Sequence, residues 1–247
     1  MKKVIFIFLF LLTIGSSFAQ NWGGGVDDEK YHFGFAFQYI QSEFKILKSS
    51  DWRLPFVDPQ TGLEVTDPLS SISSVPTAGF GVGFVFNYRI NNISDLRITP
   101  TLLFNDRILD YKYQYPNIIN KEFTSIRKVI ESTMAEIPIG IKFKSDRRKN
   151  FRAYLLAGGK LSFDLASKKK TDDASKSILY KYVKSQVSYF SYEGGVGFDL
   201  YFKNFKLSPE LKMSYSPNNI LIKEQTPFST PIEKGKLRQF TFSLFIE

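Results

Sequence analysis

The sequence predicts an all-β fold: an eight-stranded antiparallel up-and-down transmembrane β-barrel. Three observations lead there. Eight separate stretches alternate apolar and other side chains with a period of two, the connections between them are alternately long and short, and the chain opens with an export leader. The stretch from Gly79 to Ile90 sets the pattern, with Phe80, Val82, Phe84, Phe86, Tyr88 and Ile90 on one parity. Its other parity carries Gly79, Gly81, Gly83, Asn87 and Arg89. A pleated strand sorts residues in this way and a helix does not.

The leader comes first in the chain. Lys2 and Lys3 precede an apolar run from Val4 to Ile14, and Ser17-Phe18-Ala19 offers small residues where a signal peptidase reads. Residues 1–19 are therefore expected to be a cleaved signal peptide, the run being shorter than the ~20 residues of a spanning helix. Residues 20–30, with three consecutive glycines and an Asp27-Asp28-Glu29 cluster, read as a flexible lead-in to a barrel over 31–247.

Strand one places Phe33, Phe35, Phe37 and Tyr39 on one parity, then slips to Ile40, Phe44 and Ile46, which predicts a bulge. Strand two is the Gly79 to Ile90 stretch. An Asn91-Asn92 turn joins it to strand three, with Leu96, Ile98, Leu102 and Phe104. Strand four follows as Thr133, Ala135, Ile137, Ile139, Ile141, Phe143, and strand five runs from Phe151 to Phe163. Strands six, seven and eight are Phe190 to Leu200, Phe205 to Tyr215 and Phe240 to Ile246. Pro100, Pro138 and Pro209 fall inside these strands, where a closed barrel has no harmless edge, so each is expected at a bulge or a strand end.

Connections of about thirty residues (47–78) and long segments near 112–127, 167–185 and 217–236 alternate with turns at 91–92, 145–149 and 203–204. In an up-and-down sheet all the long loops then share one rim. Outer-membrane barrels have this asymmetry, with short periplasmic turns and longer extracellular loops, so both termini are expected in the periplasm.

A soluble sandwich or a lipocalin-like barrel would also bury one apolar parity. None of the apolar-parity positions in strands two to eight is charged, although 23% of the chain is. The opposite parity decides between the readings. It mixes Arg89, Arg97, Lys142, Arg152, Lys160, Lys206 and Lys212 with Glu136, Glu193, Asp199 and Glu210 among glycines. Mixed charge suits a narrow lumen crossed by ion pairs, and eight strands enclose just enough space for side chains to fill it. Aromatics near strand ends, among them Phe80, Tyr88, Phe143, Phe151 and Tyr215, suit the girdles of a membrane barrel.

The chemistry of catalysis is sparse. The chain has no cysteine, which excludes disulfides, thiolate metal sites and a lipidated cysteine. His32 is its single histidine, which argues against a Ser-His-Asp hydrolase and against a histidine metal site, and more simply suits a structural or solvated residue. Gly79-Phe-Gly-Val-Gly lies within a strand rather than between strand and helix, so it is no phosphate loop. The expectation is no enzyme, no cofactor, no metal and no small-molecule substrate. The net charge of +9, two of it in the leader, does not imply nucleic acid in an exported chain.

Two basic features remain. Lys168, Lys169 and Lys170, with Lys176, Lys181 and Lys184, are expected outside the cell, as a solvated loop or near lipopolysaccharide phosphates. Lys144, Arg147, Arg148 and Lys149 form a candidate periplasmic turn for docking a partner or lipid headgroups.

Several segments together resemble the PorT-like outer-membrane proteins: Tyr31-His-Phe-Gly-Phe, Asn87-Tyr-Arg-Ile, Asp95-Leu-Arg-Ile-Thr-Pro, Glu131-Ser-Thr-Met-Ala-Glu-Ile-Pro, and Asp146-Arg-Arg-Lys-Asn-Phe-Arg-Ala-Tyr with Gly158-Gly159-Lys160. The resemblance covers nearly all of the chain after the leader. It implies a non-enzymatic accessory role in type IX protein secretion and gliding motility, with other secretion components and outer-membrane lipid as partners. The family has no catalytic residues to carry over, and the Phe245-Ile246-Glu247 ending departs from the terminal aromatic of many outer-membrane strands. The alternative is a small OmpX-like barrel whose long loops bind surface ligands or lipopolysaccharide.

Overall fold

Twelve strands form among the described residues, and the order in which nine of them pair makes a closed ring. The computed structural model describes residues 29–114, 118–119, 124–165 and 177–247; the expected signal peptide and Lys168, Lys169, Lys170 and Lys176 lie outside them. The ring comprises β1 (Tyr31–Lys48), β3 (Thr77–Asn91), β4 (Ser94–Ile98) with β5 (Thr101–Phe104), β8 (Thr133–Lys144), β9 (Phe151–Asp164), β10 (Ser188–Tyr201), β11 (Lys206–Tyr215) and β12 (Ile232–Ile246). Every neighbouring pair is antiparallel, and β1 closes the ring by pairing with both β12 and β3. β4 and β5 are two halves of one stave: Ile98 and Phe104 hold a single register against β3, as Ile98 and Thr101 do against β8. The barrel therefore has eight staves, as predicted from the alternation.

Pro138 and Pro209 are accommodated without bulges, contrary to expectation, while Pro100 falls at the break between β4 and β5, as expected of a strand end. Pro138 and Pro209 sit in unbroken register opposite Lys160 and Leu244. Pro100 only interrupts the ladder between β4 and β5. Opposite Pro138, Thr99 donates its N–H to the Pro138 carbonyl at 3.1 Å, and nothing on proline can return the bond. The Thr101 hydroxyl supplies the missing donor instead, reaching the Thr99 carbonyl at 2.9 Å. A side chain thus repairs the ladder that proline breaks.

Nor is there a bulge in β1 where the apolar parity slips. Its register runs unbroken from Tyr31 to Ser42 against β3 and from Phe35 to Leu47 against β12, shifting only between Leu47 and Lys48. The pleat continues and the surroundings change. Up to Tyr39 the large side chains point outward; beyond it the inward ones, Ile40 and Phe44, are apolar and buried. The interior is therefore built in two tiers, polar toward the short turns and apolar toward the long connections.

The apolar tier continues above the ring into a second sheet, which the sequence reading placed in loops. β6 (Arg107–Tyr113) extends β5 past Asn105 and Asp106, β7 (Ser125–Ile130) leads back into β8, and β2 (Leu69–Val75) pairs with β6. Leu69, Ile72, Leu109, Tyr111 and Ile130 pack with Ile40, Phe44, Leu103, Met134, Phe228 and Leu237 in one core. Tyr111 donates its hydroxyl to the Phe228 carbonyl at 2.6 Å, and burial pushes its phenol well above the ordinary pKa.

Outside the ring the chemistry inverts. Phe33, Phe84 and Leu211 are 70%, 62% and 61% exposed, within a belt of outward Phe, Leu, Val, Ile and Tyr that circles the staves. A contiguous apolar surface of this extent requires an apolar solvent. No helix among the described residues is long and apolar enough to cross a membrane; here the strands cross it.

Candidate functional site: a filled lumen and two rims

The polar tier is built from inward positions of seven staves, and its charges are matched. Lys142 donates to both oxygens of Asp199 at 2.8 Å, and Ser208 donates to the same carboxylate at 2.6 Å. Arg97 donates from Nη1 to Glu210 at 2.9 Å and from Nε to the Asn87 side-chain carbonyl at 2.8 Å. Tyr154 also donates to Glu210, at 3.0 Å. Lys160 pairs with Glu136 at 2.9 Å and Lys212 with Glu193 at 3.1 Å. Nearer the short turns, Lys144 pairs with Asp95 at 2.6 Å, and Glu247 accepts from Lys206 at 2.9 Å and Arg97 at 3.4 Å.

Six cations thus face six carboxylates, and none of these twelve side chains is more than 6% exposed. Burying charge is tolerated when each group is paired and hydrogen-bonded. Small residues make the room. Tyr154 lies across Gly197, where a Cβ would stand 2.5 Å from the ring and its oxygen. With the apolar tier above it, these buried side chains pack the interior of the ring among the described residues.

Of the residues read from the sequence as a lumen network, Arg97, Glu136, Lys142, Lys160, Glu193, Asp199, Glu210 and Lys212 meet in this packed interior. Arg89 and Arg152 are half-buried, register-opposed to Asp95 and Asp199. Asn87, Asp95, Tyr154 and Glu247 complete the network and are not among the charged positions that the alternation identifies. For Glu247 the signal was parity alone: it follows Ser243 and Phe245 on the inward side of β12.

The turn at 145–149 divides. Lys144 does not belong to a docking surface, because its ammonium turns inward to Asp95. The pleat dictates this, Lys144 sharing the inward parity of Lys142. Arg148 and Lys149 are exposed, and Arg147 lies over the Tyr201 ring at 3.9 Å while donating to the Lys149 carbonyl at 2.8 Å. Lys149 takes a positive φ of 56°, which reverses the chain at the turn. Beside it, Phe202 and Phe205 stack at 4.7 Å and stand outward at the membrane edge. His32 is half-buried, opposite Asn87 on β3.

At the opposite rim, the β1–β2 and β11–β12 connections enclose a cavity of about 350 Å³ lined by Trp52, Pro55, Phe56, Thr66, Gln225 and Pro227. Lys48 lies 3.9 Å from the center of the Trp52 ring.

An apolar belt around a neutralised polar interior defines a transmembrane barrel. The chain belongs to the outer membrane protein beta-barrel domain family, whose model matches residues 17–221, and its place is the outer membrane. No curated protein matches the sequence. Solved structures with a similar trace include Neisserial surface protein A (12% identity, TM-score 0.41, 88% of this chain and 99% of the other). OprG from Pseudomonas aeruginosa aligns at 12% identity and TM-score 0.42, over 90% and 97%. Ail of Yersinia pestis, solved with the heparin analogue sucrose octasulfate, aligns at 11% and 0.35, over 88% and 99%.

Proposed function

We propose that this barrel is a non-enzymatic accessory component of type IX protein secretion that works through protein contacts at its rims. The filled lumen carries the reading: a barrel packed with paired charges and an apolar core offers no conduit for cargo, so its surfaces do the work. The secretion setting is supported by the resemblance of 146–154 and the other segments to PorT-like proteins. On this reading both termini and the short turns face the periplasm, and Arg147, Arg148 and Lys149 form the basic edge that meets a partner. Reversing these three charges is expected to abolish capture of other secretion components from detergent-solubilised outer membranes and to reduce cargo export. Normal export after deletion of the gene overturns the secretion role.

A second reading, a loop-borne receptor for surface ligands, is favoured by the packing of the described parts of the long connections. The β2–β6–β7 sheet and the Trp52 cavity are held by a packed core, and pre-organised surfaces lose less entropy on binding. Normal secretion with loss of ligand binding in Trp52→Ala selects this reading over the first.

A further inference from the structure

On the outward face, β1, β12, β11 and β10 bring side chains into level rows. Tyr39, Phe242, Leu211 and Val196 make one row, and Gln41, Phe240, Met213 and Gly194 the next toward the long connections. Gly194 has no side chain to fill its place, and these two rows line a groove of about 530 Å³. The row above is Glu43, Arg238, Tyr215 and Tyr192, and above that Lys45 stands directly opposite Lys236.

Like charges at directly opposed positions of an antiparallel pair repel, their Cβ atoms being only ~5 Å apart. Neither Lys45 nor Lys236 forms an ion pair among the described residues, and the carboxylate nearby, Glu43, is taken by Arg238. Lys236 lies 5.8 Å from the Tyr215 ring, and Tyr215 packs on Tyr192 at 5.7 Å, an aromatic pair at the height where chains give way to headgroups. From Phe240 to Lys236 is four residues, roughly 13 Å along the strand. An apolar groove and an anion-seeking cluster therefore follow each other on the same staves, at the spacing of an acyl chain and its headgroup.

We propose that this face binds one molecule of a phosphorylated glycolipid of the outer leaflet. An acyl chain lies over Gly194, and a phosphate sits between Lys45 and Lys236, accepting charge-assisted hydrogen bonds from both. The leaflet, though not the site, rests on the orientation proposed above.

The test is native mass spectrometry of the full-length barrel in detergent, offered bisphosphorylated lipid A, its dephosphorylated form or phosphatidylglycerol. Wild type is expected to retain one bisphosphorylated lipid A and to lose it at least tenfold more readily in Lys45→Gln/Lys236→Gln and in Gly194→Leu. Equal retention by all three proteins, or equal retention of the dephosphorylated form, overturns the site. Equal retention of phosphatidylglycerol overturns the choice of glycolipid. Without lipid the double variant should melt no lower than wild type, since the repulsion it removes offsets the loss of the distant Lys236 contact with the Tyr215 ring; a lower melting point marks the lysines as structural and overturns their role. Retention in detergent does not depend on which way the barrel sits. Labelling of engineered loop cysteines on intact cells therefore tests the orientation separately.

Discussion

Replacing Lys142 by methionine removes the ammonium that Asp199 faces and keeps most of the volume. Both side chains are at most 1% exposed, so no water can take the place of the lost partner. Breaking a buried pair by removing one member costs about 3–5 kcal/mol, because the other charge stays behind. Asp199 keeps the Ser208 hydroxyl at 2.6 Å, which puts the expected loss near ~3 kcal/mol. Lys142→Met/Asp199→Leu removes both charges and should recover all but about 1 kcal/mol of that loss, Ser208 being left to find a partner. The measurement is urea unfolding in lipid vesicles, followed by the gel shift that separates folded from unfolded barrel. A single variant costing under about 1 kcal/mol, or a double variant as damaged as the single, would refute a dry lumen. Planar-bilayer recordings give a second readout: wild type should stay silent, and a steady open current would contradict the packing directly.

Three further substitutions test the frame around that lumen. Thr101→Val removes the hydroxyl that substitutes for the missing Pro138 donor and should cost ~1 kcal/mol in the same assay; Pro138→Ala in that background should return part of it. Gly197→Ala puts a methyl against Tyr154 and should cost about 1–3 kcal/mol, most of it relieved when Tyr154→Leu is added. Tyr111→Phe leaves the buried Phe228 carbonyl without its donor, at about 1–3 kcal/mol. Its effect should appear first as faster protease cleavage of the long connections while the staves keep their protection.

The staves were legible because a strand between acyl chains and a polar lumen meets opposite solvents on its two faces. Every second residue from Phe80 to Ile90 records that contrast. The contrast ends at the membrane boundary, and so did the reading. Ile40 and Phe44 read as a slip of register only if the apolar parity always faces lipid, whereas above the boundary the apolar side is the inside. The β2–β6–β7 sheet was missed for a related reason: Leu109, Tyr111 and Tyr113 alternate clearly, but β2 shifts register between Leu69 and Ser71 and β7 places Lys128 among its inward residues. Among the charged residues, parity identified the lumen, while the pairs themselves depend on neighbours far apart in sequence, such as Arg97 with Glu210. Lys144 shows the same rule from the other side, since the pleat turned it inward although composition suggested a solvated turn.

The seam between β1 and β12 has a consequence for assembly. Glu247, at the foot of β12, satisfies Lys206 on the adjoining β11 and, across the lumen, Arg97 on β4 and the Asn87 amide on the neighbouring β3. Until that carboxylate arrives, two cations of a half-built cylinder face a cavity with one counter-ion too few. Sealing the seam and neutralising the interior are thus a single event, and an unsealed intermediate carries an electrostatic penalty that favours either completion or withdrawal from the bilayer.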